Sequence, residues 1–349
     1  MKRLIFPFVN ALIWLILFAV IGYYVFDPGR WIPIGAGIGL GIGLLVEFGL
    51  GAIGGWLYRR RVTLAALIEM VVIIAFIGPF ILVYVQTTPM SYTVCCVENS
   101  GLGDRVEAVA IPVADGETLA GWYTPPAENP GPVVMVLHGS RSDRTAALSH
   151  AQVLHAAGYG VLVYDQRASG ESTGDRQSIG LYDQRDIELI LAWLAARPEV
   201  DGERIGGVGL SLGAHILIMA APDTPGLKAI WSDGLGIGGA DDLPAPRDIG
   251  ESLIVFINRQ AFWLGELYLG TPVPAFKTLI PQVAPRPLML VAGGLHPYEA
   301  QFNRAYELSL GENGALWVIE NAGHVGGLWA VPDEYRTRMI AFFDDAFGR

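Results

Sequence analysis

The stretch RIGGVGLSLGAHI, residues 204–216, gives the first indication of the fold. A short apolar run with strand character ends at a Gly-x-Ser-x-Gly turn, and an apolar helical pattern follows at once. This order is typical of a nucleophile elbow, in which a serine lies on a strained turn between a strand and a helix. Gly209 and Gly213 leave room for the backbone segments that cross there. We therefore predict that the Ser211 hydroxyl lies at the carboxyl end of a sheet, beside a helix N-terminus that favours negative charge.

Strand-like and helix-like segments alternate on both sides of this turn. A hairpin is predicted over 105–111 and 118–123, and apolar runs typical of buried parallel strands lie at 133–137, 161–164, 205–208, 227–231, 288–291 and 316–319. Helical patterns lie at 144–157, 181–196, 212–220, 297–310 and 333–347. The alternation predicts an α/β fold with a mostly parallel sheet and helices on both faces. Residues 233–285 break the pattern, and their apolar and aromatic centre predicts an insert, or cap, over the site.

The first 90 residues differ from the rest of the chain in composition. The chain is 52% hydrophobic with a mean hydropathy of +0.41, and the excess is concentrated in this region. Apolar stretches at about 4–26, 31–58 and 64–86 each reach the roughly 20 residues that a membrane span needs. We therefore predict a three-span transmembrane anchor over residues 1–90.

Basic residues predict the orientation of these spans. Lys2 and Arg3 precede the first span, and three arginines at 59–61 fill the loop between the second and third spans. The positive-inside rule places both regions in the cytoplasm, so the chain after the third span is extracytoplasmic. A polar linker is predicted over 91–104, and one large domain over 105–349. The expected location is the cell membrane, with the catalytic domain outside the cytoplasm.

Several classes of partner are disfavoured by the composition. A net charge of −11 argues against nucleic acid. The adjacent Cys95 and Cys96 cannot build a disulfide framework, and no zinc-type ligand spacing is present, so neither a metal nor a cofactor is expected. Gly35, Gly39 and Gly43 are spaced by four within the second predicted span. Small residues on one helix face allow close approach, which favours self-association through this span.

Three further motifs follow predicted strands of the same sheet as the elbow. His138-Gly139-Ser140 closes the strand at 133–137, the segment DQRASGES covers 165–172, and Asn321-Ala322-Gly323-His324 follows the last strand. With the elbow, these motifs make residues 105–349 resemble the alpha/beta-hydrolase superfamily. The segment at 165–172 is similar to the family's D-x-R-G-x-G-x-S loop, with Ala168 where glycine is usual.

The resemblance implies a set of catalytic roles. Ser211 corresponds to the nucleophile and His324 to its general base. The family's acid lies in the loop after the penultimate strand, where Glu299 is the carboxylate in reach, and Asp233 on the neighbouring strand is the alternative. Backbone N–H groups of Leu212 and Ser140 would form the oxyanion hole. Asp165 and Arg167 are interpreted as a pair that braces the loop.

The other five histidines are assigned structural roles. His138 is expected to shape the oxyanion loop, and His150 and His155 to lie on the surface of a helix. His215 is expected on the flank of the elbow helix, and His296 in the loop that carries the acid.

The function predicted from these residues is that of a membrane-anchored serine hydrolase, which cleaves an ester-like bond through a Ser211 acyl-enzyme. The apolar insert favours a small-molecule or lipid-like substrate with a hydrophobic acyl group. Three alternatives stay open. The chain could transfer the acyl group to an acceptor other than water, act as a serine aminopeptidase-like peptidase, or be a non-catalytic membrane binding module.

Overall fold

The computed structural model describes residues 78–349. The first two predicted spans, most of the third, the arginine-rich loop and the glycine-rich stretch lie outside the described residues. Residues Leu82–Arg349 form one compact unit. Across the described part, no helix is both long enough and apolar enough to cross a bilayer.

Helices and strands alternate along the described chain. The strands are β1 (Met90–Ser91), β2 (Glu107–Pro112), β3 (Thr118–Thr124), β4 (Gly131–Leu137), β5 (Gly160–Tyr164), β6 (Ser169–Gly170), β7 (Val200–Leu210), β8 (Ile230–Asp233), β9 (Leu288–Gly293) and β10 (Gly314–Ile319). The helices are α1 (Gly78–Thr87), α2 (Leu148–Ala156), α3 (Asp186–Ala195), α4 (Leu212–Ala220), α5 (Ile249–Leu269), α6 (Phe276–Leu279), α7 (Pro297–Glu307), α8 (Gly327–Ala330) and α9 (Pro332–Phe347).

Eight of these strands form one sheet, in the order β10-β9-β8-β7-β4-β5-β3-β2. Strand β3 pairs antiparallel with β2 and with β5, and the remaining pairs are parallel. The mostly parallel α/β sheet and its leading hairpin are thus confirmed. Parallel pairing brings the carboxyl ends of β7, β8, β9 and β10 to one edge, where the loops that follow them meet.

Strands β4 and β5 are buried along their whole length because helices cover both faces of the sheet. Along β4, Val133, Met135 and Leu137 pack with α3 and α4 in one core, whereas Val134 and Val136 pack with α2 and α9 in a second core. Alternate side chains point to opposite faces, so a strand buried on both sides has no polar position. This arrangement holds the elbow between two rigid layers.

Several predicted element boundaries differ from the structure. Strand β8 begins at Ile230 instead of 227, because the Leu227 N–H closes a turn onto the Thr224 carbonyl at 3.0 Å. Helix α2 begins at Leu148, after a short 3₁₀ turn whose N-terminus is capped by Asp143. The insert between β8 and β9 is built mainly from α5, which starts at the Asp248 cap and ends at Gly270 in the left-handed region (φ 70°).

Contacts with the main domain begin before the predicted linker ends. Strand β1 pairs parallel with β6, and the Met90 N–H donates to the Ala168 carbonyl at 2.8 Å. Cys95 and Cys96 are joined to each other as a disulfide. The domain boundaries at 90 and 105 stay predictions.

Candidate active site

Ser211 occupies the turn between β7 and α4 in a backbone conformation that residues other than glycine rarely adopt. Its φ is 53° and its ψ is −110°, and its N–H donates to the Asp233 carbonyl at 2.8 Å. A Cβ on Gly209 would lie 2.5 Å from the Ala214 backbone, and one on Gly213 would lie 2.5 Å from the Leu137 carbonyl oxygen. Both glycines are therefore required sterically, as the elbow motif predicts, and the packing around them holds the strained serine in place.

The loops after β9 and β10 bring two further side chains to this serine. His324 Nε2 lies 2.9 Å from Ser211 Oγ, and His324 Nδ1 is hydrogen-bonded to the Glu299 carboxylate. Glu299 is buried in the first turn of α7, and its second oxygen accepts from the Gly293 N–H at 2.7 Å. A Cβ on Gly234, whose φ is 76°, would come within 2.9 Å of His324 Cε1, so glycine leaves room for the ring.

The electrostatics of this cluster favour a basic His324. The hydrogen bond to Glu299 raises the pKa of His324 above its ordinary value, and burial acts against this effect. With the Nδ1 proton directed at Glu299, Nε2 is left as an acceptor for the Ser211 hydroxyl. The structure brings together the three residues whose triad role the sequence predicts.

Asp233, the alternative acid, is bonded elsewhere. Its carboxylate accepts from the Tyr335 hydroxyl at 2.6 Å, and that hydroxyl in turn accepts from Trp231 Nε1 at 2.9 Å. Burial raises the pKa of Asp233 to about 7, and the negative charge of Glu299 adds to the effect. The imidazole proton of His324 is thus directed at Glu299, while Asp233 contributes its backbone carbonyl to the elbow.

The loop expected to supply the oxyanion hole passes directly beside Ser211. A Cβ on Gly139 would lie 3.4 Å from Ser211 Cβ. Burial lowers the pKa of His138 to about 4, so its ring is neutral. The Gln166 N–H donates to His138 Nε2 at 3.0 Å, so the ring proton lies on Nδ1 and is donated to the Gly139 carbonyl at 2.7 Å.

That hydrogen bond orients the peptide between Gly139 and Ser140. Because the C=O and N–H of a trans peptide point in opposite directions, the Ser140 N–H is turned away from His138. In the part of the chain that the structure describes, no protein acceptor is bonded to the backbone N–H of Ser140 or Leu212. Both donors are available to a developing oxyanion.

An apolar cavity of about 170 Å³ lies under the insert. Its walls come from α5, α7 and the chain between β8 and α5, and include Ile237, Leu243, Ile254, Val255, Tyr298 and Phe302. Tyr298 immediately precedes Glu299, and Ile237 follows Gly236, whose N–H donates to His215 at 3.2 Å. The segments that form two walls of the cavity therefore also carry Glu299 and contact His215 of the elbow helix. Among residues 78–349, no group of three or more His, Cys, Asp or Glu side chains is arranged to hold a metal ion.

Comparison with known proteins agrees with this geometry. Residues 115–242 match the X-Pro dipeptidyl-peptidase (S15) family. The fold is similar to that of Pyrococcus furiosus esterase Pf2001, with a TM-score of 0.58 and 24% identity over 74% of this chain and 98% of that one. It is also similar to dienelactone hydrolase from Anabaena variabilis, with a TM-score of 0.50 and 21% identity over 68% and 96% of the two chains. The described domain has the alpha/beta-hydrolase fold.

Two bacterial proteins illustrate the similarity of this chain to known sequences. A Mycobacterium tuberculosis protein is 35% identical over 118 residues, which cover 34% of this chain and 41% of that protein. YfhR of Escherichia coli K12 is 26% identical over 250 residues, or 69% of this chain and 82% of the relative. The matches support a hydrolase and leave its substrate to be inferred from the site.

The loop after β5 in this hydrolase is braced differently from the prediction. Asp165 and Arg167 do not bond to each other. Asp165 pairs with Arg144 at 2.6 Å, and Arg167 pairs with Asp186 at 2.5 Å. No sequence pattern identifies Arg144, because its partner is 21 residues away. Its guanidinium lies 4.7 Å from the centre of the Trp122 ring.

In the described residues, the Ser211 hydroxyl is hydrogen-bonded to His324 and to none of the other histidines. The surface position predicted for His150 is wrong, because the ring is fully buried and makes edge contacts with Trp329 and Tyr335. His155 is half-buried. His215 contacts the Phe276 ring with 4.8 Å between ring centres, and His296 forms the N-cap of α7.

Proposed function

We propose that this chain is a serine hydrolase that cleaves an ester-like bond through a Ser211 acyl-enzyme. The observation that carries the proposal is the continuous hydrogen-bonded chain from Ser211 Oγ through His324 to Glu299, at a strained elbow beside two available N–H donors. A serine hydroxyl needs such a neighbouring base, because its own pKa makes it a weak nucleophile.

The proposed reaction has two halves. Ser211 Oγ attacks the ester carbonyl while its proton passes to His324 Nε2, and Glu299 stabilises the imidazolium that forms. The oxyanion accepts hydrogen bonds from the N–H groups of Leu212 and Ser140. His324 then donates its proton to the leaving alcohol. In the second half His324 deprotonates a water molecule, which attacks the acyl carbonyl. His324 then returns this proton to Ser211 Oγ as the bond to the acyl group breaks and the acid is released.

The cavity under the insert supports a substrate with a small hydrophobic acyl group. Its volume of about 170 Å³ is below the roughly 300–1,000 Å³ of pockets for drug-sized ligands. Its walls are mainly aliphatic and aromatic, so an apolar group loses no hydrogen bonds when it enters. A small molecule or a lipid-like ester with such a group is the proposed substrate class.

Two other activities use the same residues. The match to the X-Pro dipeptidyl-peptidase family favours a peptidase as the second candidate, since amide and ester cleavage share the acyl-enzyme. Acyl transfer differs from hydrolysis only in the acceptor that enters after the first half-reaction.

Labelling with a fluorophosphonate probe tests the proposed nucleophile. The wild-type chain should be labelled, and Ser211→Ala should abolish labelling and lower kcat for a soluble nitrophenyl ester by about 10³-fold or more. Ser140→Ala is the matched control, because it keeps the proposed backbone donor and should retain most activity. An unlabelled wild type would favour a non-catalytic binding module.

A substrate panel then separates the candidate activities. Esters of increasing acyl length, an X-Pro arylamide, and an ester assayed with an added alcohol acceptor distinguish an esterase, a peptidase and an acyltransferase. The cavity leads us to expect the highest kcat/KM with a short apolar acyl group.

The proposed location of the enzyme is the membrane, with the domain outside the cytoplasm. The support is the three apolar stretches before residue 87 and the arginines at 59–61. A reporter that is active only outside the cytoplasm, fused after Arg349, should be active. Activity from a cytoplasm-only reporter at the same position would overturn the orientation.

A further inference from the structure

The stretch before the main sheet contacts the oxyanion loop, residues 138–143, which carries the proposed donor Ser140. Residues 82–92 comprise the end of α1, strand β1 and the residues beside them, and we call them the leading segment. Three side chains of this segment are between 2% and 7% exposed, so it is packed into the domain: Val83, Val85 and Thr87. The leading segment belongs to the same compact unit as the candidate active site.

Two side-chain hydrogen bonds join the oxyanion loop to this segment. Arg141 Nη1 donates to the Val85 carbonyl at 2.7 Å, and the Tyr92 hydroxyl donates to Asp143 Oδ2 at 2.6 Å. The Val85 carbonyl is one of the last four of α1, which lack a donor within the helix, and a cation is favoured at this helix end. The loop is therefore held to the leading segment immediately after Ser140.

Arg141 needs such support because of its backbone conformation. Its φ is 55°, in the left-handed region that is unfavourable for a residue with a Cβ. Strain of this kind persists only where surrounding contacts hold it. A relaxation of Arg141 to a negative φ would change the direction in which the chain leaves Ser140. The His138 ring holds the Ser140 peptide from the amino side of the loop, and Arg141 holds it from the carboxyl side.

The leading segment is itself anchored by other parts of the domain. Strand β1 pairs with β6, and the Gln177 N–H donates to the Thr87 carbonyl at 3.0 Å. A Cβ on Gly265 of α5 would lie 3.9 Å from Val83 Cγ2. The segment thus contacts the oxyanion loop, the loop after β5 and the insert, so Arg141 is bonded to a backbone that is fixed on several sides.

We infer that the leading segment is a working part of the active site, and that Arg141 is a positioning residue that fixes the Ser140 N–H through it. The inference rests on the proposed function, because a fixed donor matters only if an oxyanion forms beside Ser211. Removing an oxyanion-hole donor lowers kcat about 10²–10³-fold, so a donor that is loosened and not removed should cost about 10- to 100-fold.

The substitution Arg141→Met tests this role, because it removes the bond to Val85 and keeps a long apolar side chain. The full chain, purified in detergent, is assayed on a soluble nitrophenyl ester and with an alkyl trifluoromethyl ketone. Ser211 Oγ adds to the ketone carbon as its proton passes to His324, and the carbonyl oxygen becomes the oxyanion of a hemiketal.

We expect Arg141→Met to lower kcat about 10- to 100-fold with KM changed less than about twofold, because the lost interaction is made in the transition state. The inhibition constant of the ketone should rise by about the factor by which kcat/KM falls. Arg141→Lys should retain more activity than Arg141→Met, because an ammonium group can still donate to the Val85 carbonyl.

Arg204→Met is the matched control. This arginine also donates to a backbone carbonyl, that of Pro130 at 3.4 Å, but at the amino-terminal end of β4, so kcat and the inhibition constant should match the wild type. If Arg141→Met does not fold, Tyr92→Phe removes the bond to Asp143 and should lower kcat several-fold. A variant with a lower unfolding temperature but unchanged kcat and inhibition constant would overturn the inference alone. A wild type that neither cleaves the ester nor reacts with a fluorophosphonate would overturn the proposed function, and the inference with it.

Discussion

The substitution Glu299→Gln tests the proposed acid because the structure determines which way the new amide must point. One oxygen of Glu299 accepts from the Gly293 N–H at 2.7 Å, and the other faces His324 Nδ1. The Gly293 N–H is a fixed donor, so the amide oxygen of the glutamine must face it. The NH₂ group then faces Nδ1, which has to act as an acceptor, and the ring proton moves to Nε2. An Nε2–H cannot accept the proton of Ser211.

The expected loss follows from this change of tautomer. The equivalent change of a triad acid to its amide in a serine protease lowers kcat about 10⁴-fold while the geometry is kept. That factor corresponds to about 5 kcal/mol of transition-state stabilisation. If Glu299 were only a helix-terminal residue, its replacement would cost about 0.3–1 kcal/mol of stability through the helix dipole and leave kcat almost unchanged.

The assay compares kcat, KM and thermal unfolding of purified variants on a soluble ester. Asp233→Asn is the matched control, because an asparagine oxygen can still accept from the Tyr335 hydroxyl, and we expect its kcat to stay within a few-fold of the wild type. The reasoning is refuted if Glu299→Gln keeps most of its activity while Asp233→Asn loses it. The acid would then belong to β8.

Three further predictions concern histidines. The hydrogen bond to Glu299 raises the pKa of His324 above 6.5, and the protonated ring cannot act as a base. We therefore expect kcat/KM to decrease at acid pH with a midpoint above pH 6.5. A midpoint below pH 6.5 would contradict this prediction. Fluorophosphonate labelling of Ser211 should be lost in His324→Ala and kept in His215→Ala, and the reverse result would reassign the base. Burial lowers the pKa of His150 to about 4. Between pH 6.5 and pH 4 the imidazole is therefore protonated in the unfolded chain but not in the folded one, and the stability of the wild type decreases as the pH decreases. His150→Phe should remove this loss, so that its free energy of unfolding relative to wild type is about 2 kcal/mol more favourable at pH 5 than at pH 8 in denaturant titrations.

The parts of the fold that depend on local pattern were predictable from the sequence. Helix α4 spans Leu212–Ala220 as predicted, and β4 is a run of apolar residues that is buried on both faces. Such elements are determined by hydrophobic periodicity and by turn residues that lie within a few positions of them in the sequence. The apolar run that begins at Leu227 misled the prediction of β8, because its first residues close a turn before sheet pairing starts.

Features that depend on distant partners were not predictable. His150 has the sequence context of a helix surface, and it is buried because Trp329 and Tyr335, almost two hundred residues later, pack over it. The pairing of Asp165 with Arg144 likewise depends on how the loop after β5 meets the start of α2. Nothing within either segment specifies these contacts.

Two buried carboxyl groups lie at the same site, and their environments differ. Glu299 accepts from a backbone N–H, faces the imidazole of His324 and lies in the first turn of α7, where the helix dipole favours negative charge. Asp233 accepts one hydroxyl, and burial together with the charge of Glu299 raises its pKa to about 7. Two negative charges at one poorly solvated site repel each other, so the charge of Glu299 disfavours ionisation of Asp233. The arrangement leaves His324 facing the carboxylate of Glu299, while the carboxylate of Asp233 is bonded to Tyr335. This is why the longer glutamate, reaching back from α7 to the end of β9, can serve where the family usually has an aspartate.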